Sequence, residues 1–184
     1  MIYHETTLPG AYLLEIERRE DERGYFARVM CGLELASRGL VDHFVQTNHS
    51  YNKRSGTLRG MHYQKPPHEE VKLVRCVAGA IYDVIVDLRP GSPTYLKWEG
   101  FELTAENGRV LYVPEGFAHG LMALEDETHV TYQVSYPYTP GAESGLRFDD
   151  PSIGIVWPGP VTVISEKDAS WPDFMPARTL QPSS

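Results

Sequence analysis

The chain has 184 residues, 41% of them hydrophobic, and a formal net charge of -8. This length and apolar content are enough for a single domain with an ordinary core and no stabilising crosslinks. The acidic balance argues against general nucleic-acid binding, which needs a basic face to neutralise phosphates. A small anionic ligand is not excluded, because a few arginines and lysines converging at one place suffice to bind it.

Neither the cysteines nor the apolar segments indicate an exported or membrane protein. Cys31 and Cys76 lack the number and spacing of a disulfide framework or a zinc cluster, which predicts two packing residues in a reducing compartment. The opening MIYHETTLPG is too polar for a secretion signal, and no run approaches the ~20 apolar residues of a membrane helix. We therefore expect a cytoplasmic protein that does not bind membranes.

The predicted elements are mostly short strands. A weak helical pattern over CGLELASRGL comes first, and alternating residues then predict strands over VKLVRCVAG, AIYDVIVDL, RVLYVPEG and HVTYQVSY. A short helical turn follows Glu166, and the residues from about Pro176 to Ser184 are expected to form a surface tail. With 14 prolines and 16 glycines for turns, the pattern predicts one all-β domain over 1–184, a jelly-roll barrel with short peripheral helices. Alternation alone does not separate this barrel from an immunoglobulin-like sandwich.

The segment TLRGMHYQKPPHEEVKLVRC concentrates residues that can carry chemistry. It places Arg59, His62, Lys72 and Arg75 on two strands joined by a turn. Each has an ordinary alternative as a structural histidine or a solvated surface charge. Lys72 is the most informative, because it lies in the apolar strand VKLV and a buried ammonium group needs a partner or an anion.

Strand alternation decides which of these side chains share a face. His62 and Gln64 lie in phase with Leu58, whereas Arg59 points the other way in a regular strand. A bulge at Gly60 is expected to bring Arg59 round to the face of His62.

Three later segments add further candidates. VPEGFAHG places His119 at a strand end or turn, where a structural histidine is the ordinary alternative. In HVTYQVSY, Tyr132 alternates in phase with Val130 and Val134, and an inward tyrosine needs a hydrogen-bond partner. The tetrapeptide SEKD, which contains Lys167 and Asp168, has little specificity by itself.

Other catalytic classes find no support in the sequence. A metal-binding barrel is expected to carry two or three closely spaced histidines and a carboxylate, but the chain has no H-x-H pair, and Gln64 follows His62 on the same face. We therefore expect no metal. The chain also lacks a Gly-rich phosphate loop, a dinucleotide fingerprint and a G-x-S-x-G elbow, which argues against a P-loop enzyme, a Rossmann dehydrogenase and an α/β-hydrolase.

Taken together, the motifs resemble those of the dTDP-4-dehydrorhamnose 3,5-epimerase family of the cupin superfamily. The matching segments run from about Leu8 to Asp173 and are, in order, DERGYF, QTNHS, GTLRGMHYQ, KLVRCVAGAIYDVIVDLRPGSPTY, LTAEN, VPEGFAHG, FDDPSIGIVWP and SEKD. The resemblance implies a cupin jelly-roll homodimer with an active site inside each barrel, and catalysis without a metal or a cofactor. It also implies a nucleotide-diphosphate sugar as substrate, a dTDP-4-keto-6-deoxyhexose inverted at carbon 3, carbon 5 or both.

The same resemblance assigns roles to individual residues. His62 corresponds to the base, Asp168 to the aspartate that orients it, Tyr132 to the acid, and Lys72 to the lysine near the ketone oxygen. The ligand-binding positions of the family correspond to Arg23, Phe26, Gln46, Asn48, Arg59, His119, Tyr138, Glu143 and Lys167. The chemistry is consistent with these roles, since a neutral imidazole can take a proton made acidic by a neighbouring ketone, and guanidinium groups bind diphosphates.

The chain departs from the family pattern at three places. Arg28 stands where the family usually has a glutamate that contacts the nucleotide, and Thr47 replaces an aspartate. Pro137 precedes Tyr138 where two aromatic residues are common. These departures keep a mono-epimerase and an epimerase of CDP- or GDP-linked keto sugars as alternatives. A non-catalytic sugar-nucleotide binding cupin and a metal-dependent cupin oxygenase are weaker alternatives, because the base and the acid are both present and a metal-ligand motif is not.

Overall fold

The structure, a computed structural model, describes residues 1–174, and most of its regular elements are β-strands. The predicted tail from Pro176 to Ser184 therefore lies outside the described residues. In chain order the elements are β1 (Ile2–Glu5), β2 (Tyr12–Glu15), β3 (Arg19–Asp21), β4 (Gly24–Phe26), α1 (Gly32–Ala36), β5 (Gln46–Asn52), β6 (Thr57–Gln64), β7 (Lys72–Ala78), β8 (Ala80–Asp87), β9 (Trp98–Thr104), β10 (Val110–Val113), β11 (Phe117–Ala123), β12 (Thr128–Val134), β13 (Glu143–Gly145), β14 (Val163–Ile164) and α2 (Glu166–Ala169).

The strands form two large sheets and one separate hairpin. The first sheet has the order β1-β2-β10-β7-β12-β5, and the second has the order β13-β6-β11-β8-β9, with β14 added parallel to β6. The hairpin consists of β3 and β4. Strands β5 to β12 divide into the orders β10-β7-β12-β5 and β6-β11-β8-β9, which is the jelly-roll arrangement. The predicted all-β jelly roll with short peripheral helices is confirmed, and the immunoglobulin-like order is excluded.

The main core lies between the two sheets. Val74 and Leu111 of the first sheet pack with Ile85 and Leu121 of the second, and none of the four is more than 4% exposed. Burying a side chain of this size contributes roughly 1.5–3 kcal/mol relative to leaving it in water. The alternating apolar positions of the predicted strands are thus the residues that join the sheets.

The outer faces of both sheets are also covered. Leu35 of α1 packs against Leu73 on the first sheet, and Leu146, just after β13, packs against Val84 on the second. This second cover explains why β8 is buried on both faces, although its sequence predicted alternation between a buried and an open face. The chain that provides the cover continues into α2 and so carries Asp168 against β6.

Both cysteines are free thiols, as the sequence predicts. Cys76 is fully buried in the core between the sheets, whereas Cys31 is half-buried at the start of α1. Among residues 1–174, the helices are too short and too polar for any of them to cross a membrane.

Candidate active site

Two adjoining cavities lie between the facing sheets of the jelly roll. The first has a volume of about 400 Å³ and the second a volume of about 350 Å³. His62, Lys72 and Tyr132 line both cavities, so that the two form one cleft around these three side chains. The structure thus brings together the three residues that the family resemblance assigned as the base, the acid and the lysine near the ketone oxygen.

His62, on β6 of the second sheet, is held by the carboxylate of Asp168. Nε2 of His62 lies 2.6 Å from Oδ1 of Asp168, whose other oxygen accepts a hydrogen bond from the Gly60 N–H at 3.2 Å. Burial by itself favours the neutral acid, but the bonds from His62 and Gly60 hold the pKa of the Asp168 carboxyl below its usual value. With Nε2–H donated to this carboxylate, the imidazole keeps one tautomer and its Nδ1 is free to take a proton.

A β-bulge in β6 places Arg59 and His62 on the same side of the strand. His119 of β11 lies opposite His62 of β6, and Leu121 of β11 lies opposite Arg59 of β6. Two residues along β11 therefore match three residues along β6. The extra residue in β6 lies at Gly60, which has a φ of +115°, in the region that favours glycine. The bulge expected from the sequence is present, and Arg59 consequently lines the first cavity.

Tyr132 and Lys72 face His62 from the first sheet. Val134 pairs with Lys72, so Tyr132, two residues earlier on β12, lies on the same face of the sheet as Lys72. This inward position is the one that alternation predicted. Burial raises the pKa of the Tyr132 phenol, and the negative charge of Glu70 acts in the same direction. The phenol is therefore protonated at neutral pH and able to donate.

The Lys72 ammonium group has a carboxylate partner that the sequence analysis did not identify. Nζ of Lys72 lies 3.2 Å from Oε1 of Glu70, and the two side chains are only 9% and 12% exposed. The signal was present in the sequence. A lysine in the apolar strand VKLV requires a partner, and Glu70, two residues earlier, shares its face in an extended chain.

A second histidine–carboxylate pair lies on β11 and β8 of the second sheet. Nε2 of His119 is 2.7 Å from Oδ1 of the fully buried Asp83, a contact without hydrogen-bond geometry. His119 lines the first cavity, where the sequence analysis expected a ligand-binding residue. Asp83 was missed, although a carboxylate at an inward position of AIYDVIVDL was a usable signal. Within the described residues, neither this pair nor any other group of His, Cys, Asp and Glu supplies three ligands for a metal ion.

Most of the other predicted ligand-binding residues surround the second cavity. Gln46 and Asn48 of β5 line it and are joined by an amide hydrogen bond of 2.8 Å. Tyr138 and Glu143 also line it, and the Tyr138 hydroxyl donates to Glu143 Oε2 at 3.4 Å. Lys167 forms an ion pair with Glu143 without lining the cavity itself. The cavity therefore offers amide, phenol and carboxylate groups to a polar ligand.

Arg23 and Phe26 do not line this cleft. They belong to the β3–β4 hairpin, where the Arg23 side chain is 88% exposed and pairs with Asp21, while Phe26 is 71% exposed. Arg28, the position of the charge reversal, follows the hairpin and pairs with Glu34 of α1 at 2.7 Å. The cleft of one chain thus lacks two of the residues that the family resemblance assigned to ligand binding.

Two more side chains at the cleft were not anticipated. The hydroxyl of Ser50 lines the first cavity, is buried and has no hydrogen-bond partner in the part of the chain that the structure describes, so it can bond a ligand. The ring of Trp171 packs edge-on against His62, with ring centroids 6.5 Å apart. No pattern marked either residue, because a single serine in a strand and a single tryptophan in a loop are ordinary features of any sequence.

Comparison with known proteins identifies the family. The family model described as dTDP-4-dehydrorhamnose 3,5-epimerase matches residues 5–175. A relative of that name from Methanothermobacter thermautotrophicus is 46% identical over 170 residues, which cover 91% of this chain and 91% of the relative. Another, from Sinorhizobium fredii, is 44% identical over 179 residues, which cover 95% of this chain and 90% of the relative.

Solved structures of similar proteins have the same fold. The dTDP-4-dehydrorhamnose 3,5-epimerase of Bacillus anthracis with TDP and PPi bound is 42% identical, with a TM-score of 0.91 and coverage of 94% of this chain and 99% of that one. A 3,5-epimerase of Legionella pneumophila in complex with dTDP-4-keto-L-rhamnose is 36% identical, with a TM-score of 0.87 and coverage of 92% and 90%. A 3′-monoepimerase of Streptomyces bikiniensis in complex with dTDP-quinovose is 32% identical, with a TM-score of 0.85 and coverage of 92% and 86%. By the family match and these identities, the chain belongs to the dTDP-4-dehydrorhamnose 3,5-epimerase family.

Proposed function

We propose that the chain epimerises a dTDP-linked 4-keto-6-deoxyhexose at carbon 3, carbon 5 or both, with His62 as the base and Tyr132 as the acid. The observation that carries the proposal is the position of these two side chains on facing sheets of one cleft, with Asp168 2.6 Å from His62. Relatives with TDP or dTDP-4-keto-L-rhamnose bound support the class of substrate. The proposed reaction uses only side chains of the protein for proton transfer and for stabilising the enolate.

The ketone at carbon 4 makes the hydrogens on carbons 3 and 5 acidic. His62 removes one of them as a proton, and the electrons of the C–H bond form an enolate whose charge rests on the carbon 4 oxygen. The Lys72 ammonium stabilises this oxygen. Tyr132 then donates its proton to the same carbon from the opposite face, which inverts it. Both groups recover their starting protonation by exchange with solvent.

The remaining polar side chains of the cleft are assigned to holding the nucleotide diphosphate. The guanidinium of Arg59 suits the diphosphate, because it can bind two oxygens at once, and His119 lines the same cavity. The ring of Tyr138 is available for stacking on a base, next to the amides of Gln46 and Asn48. This division places the reacting sugar between the two cavities, where the base and the acid both reach it.

A homodimer accounts for the exposed hairpin. If two copies associate through β3 and β4, each copy can supply Arg23 and Phe26 to the cleft of the other. The exposed ring of Phe26 is then buried in the dimer instead of contacting water. We further propose that each chain acts as one domain and that the dimer is cytoplasmic. Sedimentation of the wild type is expected to give a dimer and Phe26→Asp a weaker one. A monomeric wild type contradicts this assembly.

Incubation with dTDP-4-keto-6-deoxyglucose in heavy water tests the proposed reaction. We expect deuterium at carbon 3, carbon 5 or both, together with an inverted sugar. A substrate that gains deuterium at neither carbon contradicts the proposal and favours a non-catalytic binding protein. Deuterium at carbon 3 alone identifies a mono-epimerase, the second candidate, which the similarity to the 3′-monoepimerase supports.

The nucleotide base is tested separately, because Arg28 is paired with Glu34 and presents a charge opposite to the family's usual glutamate. A ligand that binds only the folded chain raises the unfolding temperature, and at equal concentration the tighter ligand raises it more. We expect dTDP to give a larger increase than CDP or GDP at equal concentration. A larger increase with CDP or GDP identifies the alternative substrate class.

A further inference from the structure

Glu70 is a largely buried carboxylate that the reaction described above leaves without a role. Its Oε1 lies 3.2 Å from Nζ of Lys72, and its Oε2 accepts a hydrogen bond of 2.9 Å from Nε2 of Gln64. The side chain is 12% exposed and lines the second cavity. With a cation on one oxygen and an amide donor on the other, this carboxylate is held in a single position.

Gln64 ties this carboxylate to the surrounding loops. Its Nε2 donates its second hydrogen to the carbonyl oxygen of His68 at 2.9 Å and lies 3.3 Å from that of Pro137, while its Oε1 accepts from the Thr139 N–H at 2.8 Å. The amide is buried, with 5% of the residue exposed. Glu70 is therefore fixed relative to both the turn before β7 and the loop after β12.

Glu70 also acts on the phenol of Tyr132. Burial is the main reason that the pKa of Tyr132 is raised, the carboxylates of Glu70 and Glu143 raise it further, and Arg59 opposes them. A carboxylate at this position favours the protonated phenol, which is the form that can donate. The other titratable groups that line the cleft with Tyr132 are His62, Tyr63, Lys72, His119, Tyr138 and Asp168.

We propose that Glu70 is a positioning residue for the epimerisation, holding the Lys72 ammonium where the ketone oxygen binds and placing a negative charge in the cavity that the Tyr132 phenol lines. The inference rests on the proposed function of the cleft. An ammonium group has three N–H donors, so the contact with Glu70 leaves donors available for the enolate oxygen. Glu70 acts through Lys72 and Tyr132 and needs no contact with the reacting carbon.

Glu70→Gln tests the proposal, because it removes the charge with almost no change of shape. We expect kcat to fall roughly tenfold, less than the 10²–10³-fold typical for loss of an oxyanion donor itself, with little change in KM. Since the negative charge beside Tyr132 is gone, the basic limb of the kcat–pH profile is expected to move to lower pH. Glu69→Gln makes the same charge change at the adjacent residue, which lines neither cavity, and is expected to behave as the wild type.

A second variant separates charge from shape. Glu70→Asp keeps the charge and shortens the side chain, so kcat is expected to fall while the basic limb stays near its wild-type position. A basic limb that moves equally in both variants, or in neither, overturns the inference. An active wild type with a fully active Glu70→Gln variant overturns it as well and leaves the proposed function standing. A wild type that exchanges no deuterium overturns the proposed function, and this inference with it.

Discussion

Nε2 of His62 lies 2.6 Å from Oδ1 of Asp168, although 106 residues separate the two in the chain. The contact depends on the parallel pairing of β14 with β6, which sets Ile164 beside Leu58 just before α2 begins. The end of the described chain thus returns to the strand that carries the histidine. The carboxylate that orients the proposed base comes from outside the eight strands of the jelly roll.

Asp168→Asn is expected to lower the rate of deuterium exchange by about 10²-fold or more, with little change in KM. The amide carries no charge to stabilise the imidazolium that forms when the proton is removed, and it can present its NH₂ group to Nε2, which favours the wrong tautomer. Exchange followed by NMR measures the effect. Asp149→Asn is the matched control, because Asp149 is an exposed aspartate that pairs with Arg147 outside the cleft. Wild-type exchange in Asp168→Asn contradicts the orienting role.

Tyr132→Phe is expected to retain deuterium exchange while losing inverted product. The variant keeps the base and the lysine, so the enolate still forms, but no group donates a proton from the opposite face. The proton then returns mainly from the side of His62, with deuterium incorporated and the configuration unchanged. Isotope content and product stereochemistry are measured on the same sample. An equal loss of exchange and inversion argues against this division of labour.

The sequence predicted the parts of the site that depend on local pattern. Period-2 alternation placed Tyr132 on the inner face of β12, and the glycine at position 60 indicated the bulge that turns Arg59 towards the cleft. Motif order predicted the jelly roll where alternation alone left two architectures open. In each case the prediction uses either the residue pattern within one strand or the order of the motifs along the chain.

The parts that the sequence did not predict depend on which strands become neighbours. Asp83 meets His119 because β8 pairs with β11, and Trp171 meets His62 because the chain returns along β6. Neither relation follows from spacing along the chain. The position of Phe26 is a further case. Its hairpin points away from the cleft of its own chain, and no local sequence pattern indicates this.

Gly60→Ala is expected to destabilise the fold by about 2 kcal/mol or more and to abolish activity. A Cβ atom at position 60 would lie 2.6 Å from Cα of Gly120 and 2.8 Å from the carbonyl oxygen of His119. Gly91 is the matched control, because its φ of +86° also lies in the region that favours glycine but its Cβ would meet nothing within 4 Å. Gly91→Ala is expected to cost only about 1–2 kcal/mol, the penalty of the backbone conformation alone. Urea unfolding of both variants measures the difference, and equal losses contradict a contact effect at Gly60.

Asp87, at the end of β8, is a buried carboxylate whose role is structural. Its oxygens accept hydrogen bonds from the Arg89 guanidinium at 2.9 and 2.7 Å, from the Ser92 hydroxyl at 2.6 Å and from the Thr94 hydroxyl at 2.7 Å. Burial opposes ionisation, but these donors outweigh it and hold the pKa of Asp87 at about 2, against a usual value of 3.8. The carboxylate therefore anchors the loop between β8 and β9 in its charged form.

Because the pKa of Asp87 is lower in the folded than in the unfolded chain, its ionised form stabilises the fold above about pH 4 and loses this effect as the pH falls towards 2. The shift corresponds to roughly 2 kcal/mol of unfolding free energy. Asp87→Asn is expected to be less stable than the wild type at pH 7 by at least this amount, since Arg89 also loses its partner. The difference should shrink by about 2 kcal/mol between pH 5 and pH 2. Urea unfolding at several pH values measures it, with the exposed Asp126→Asn as a control expected to show a much smaller change. A difference that stays constant down to pH 2 contradicts the assignment, because the stabilisation then does not come from the ionised carboxylate.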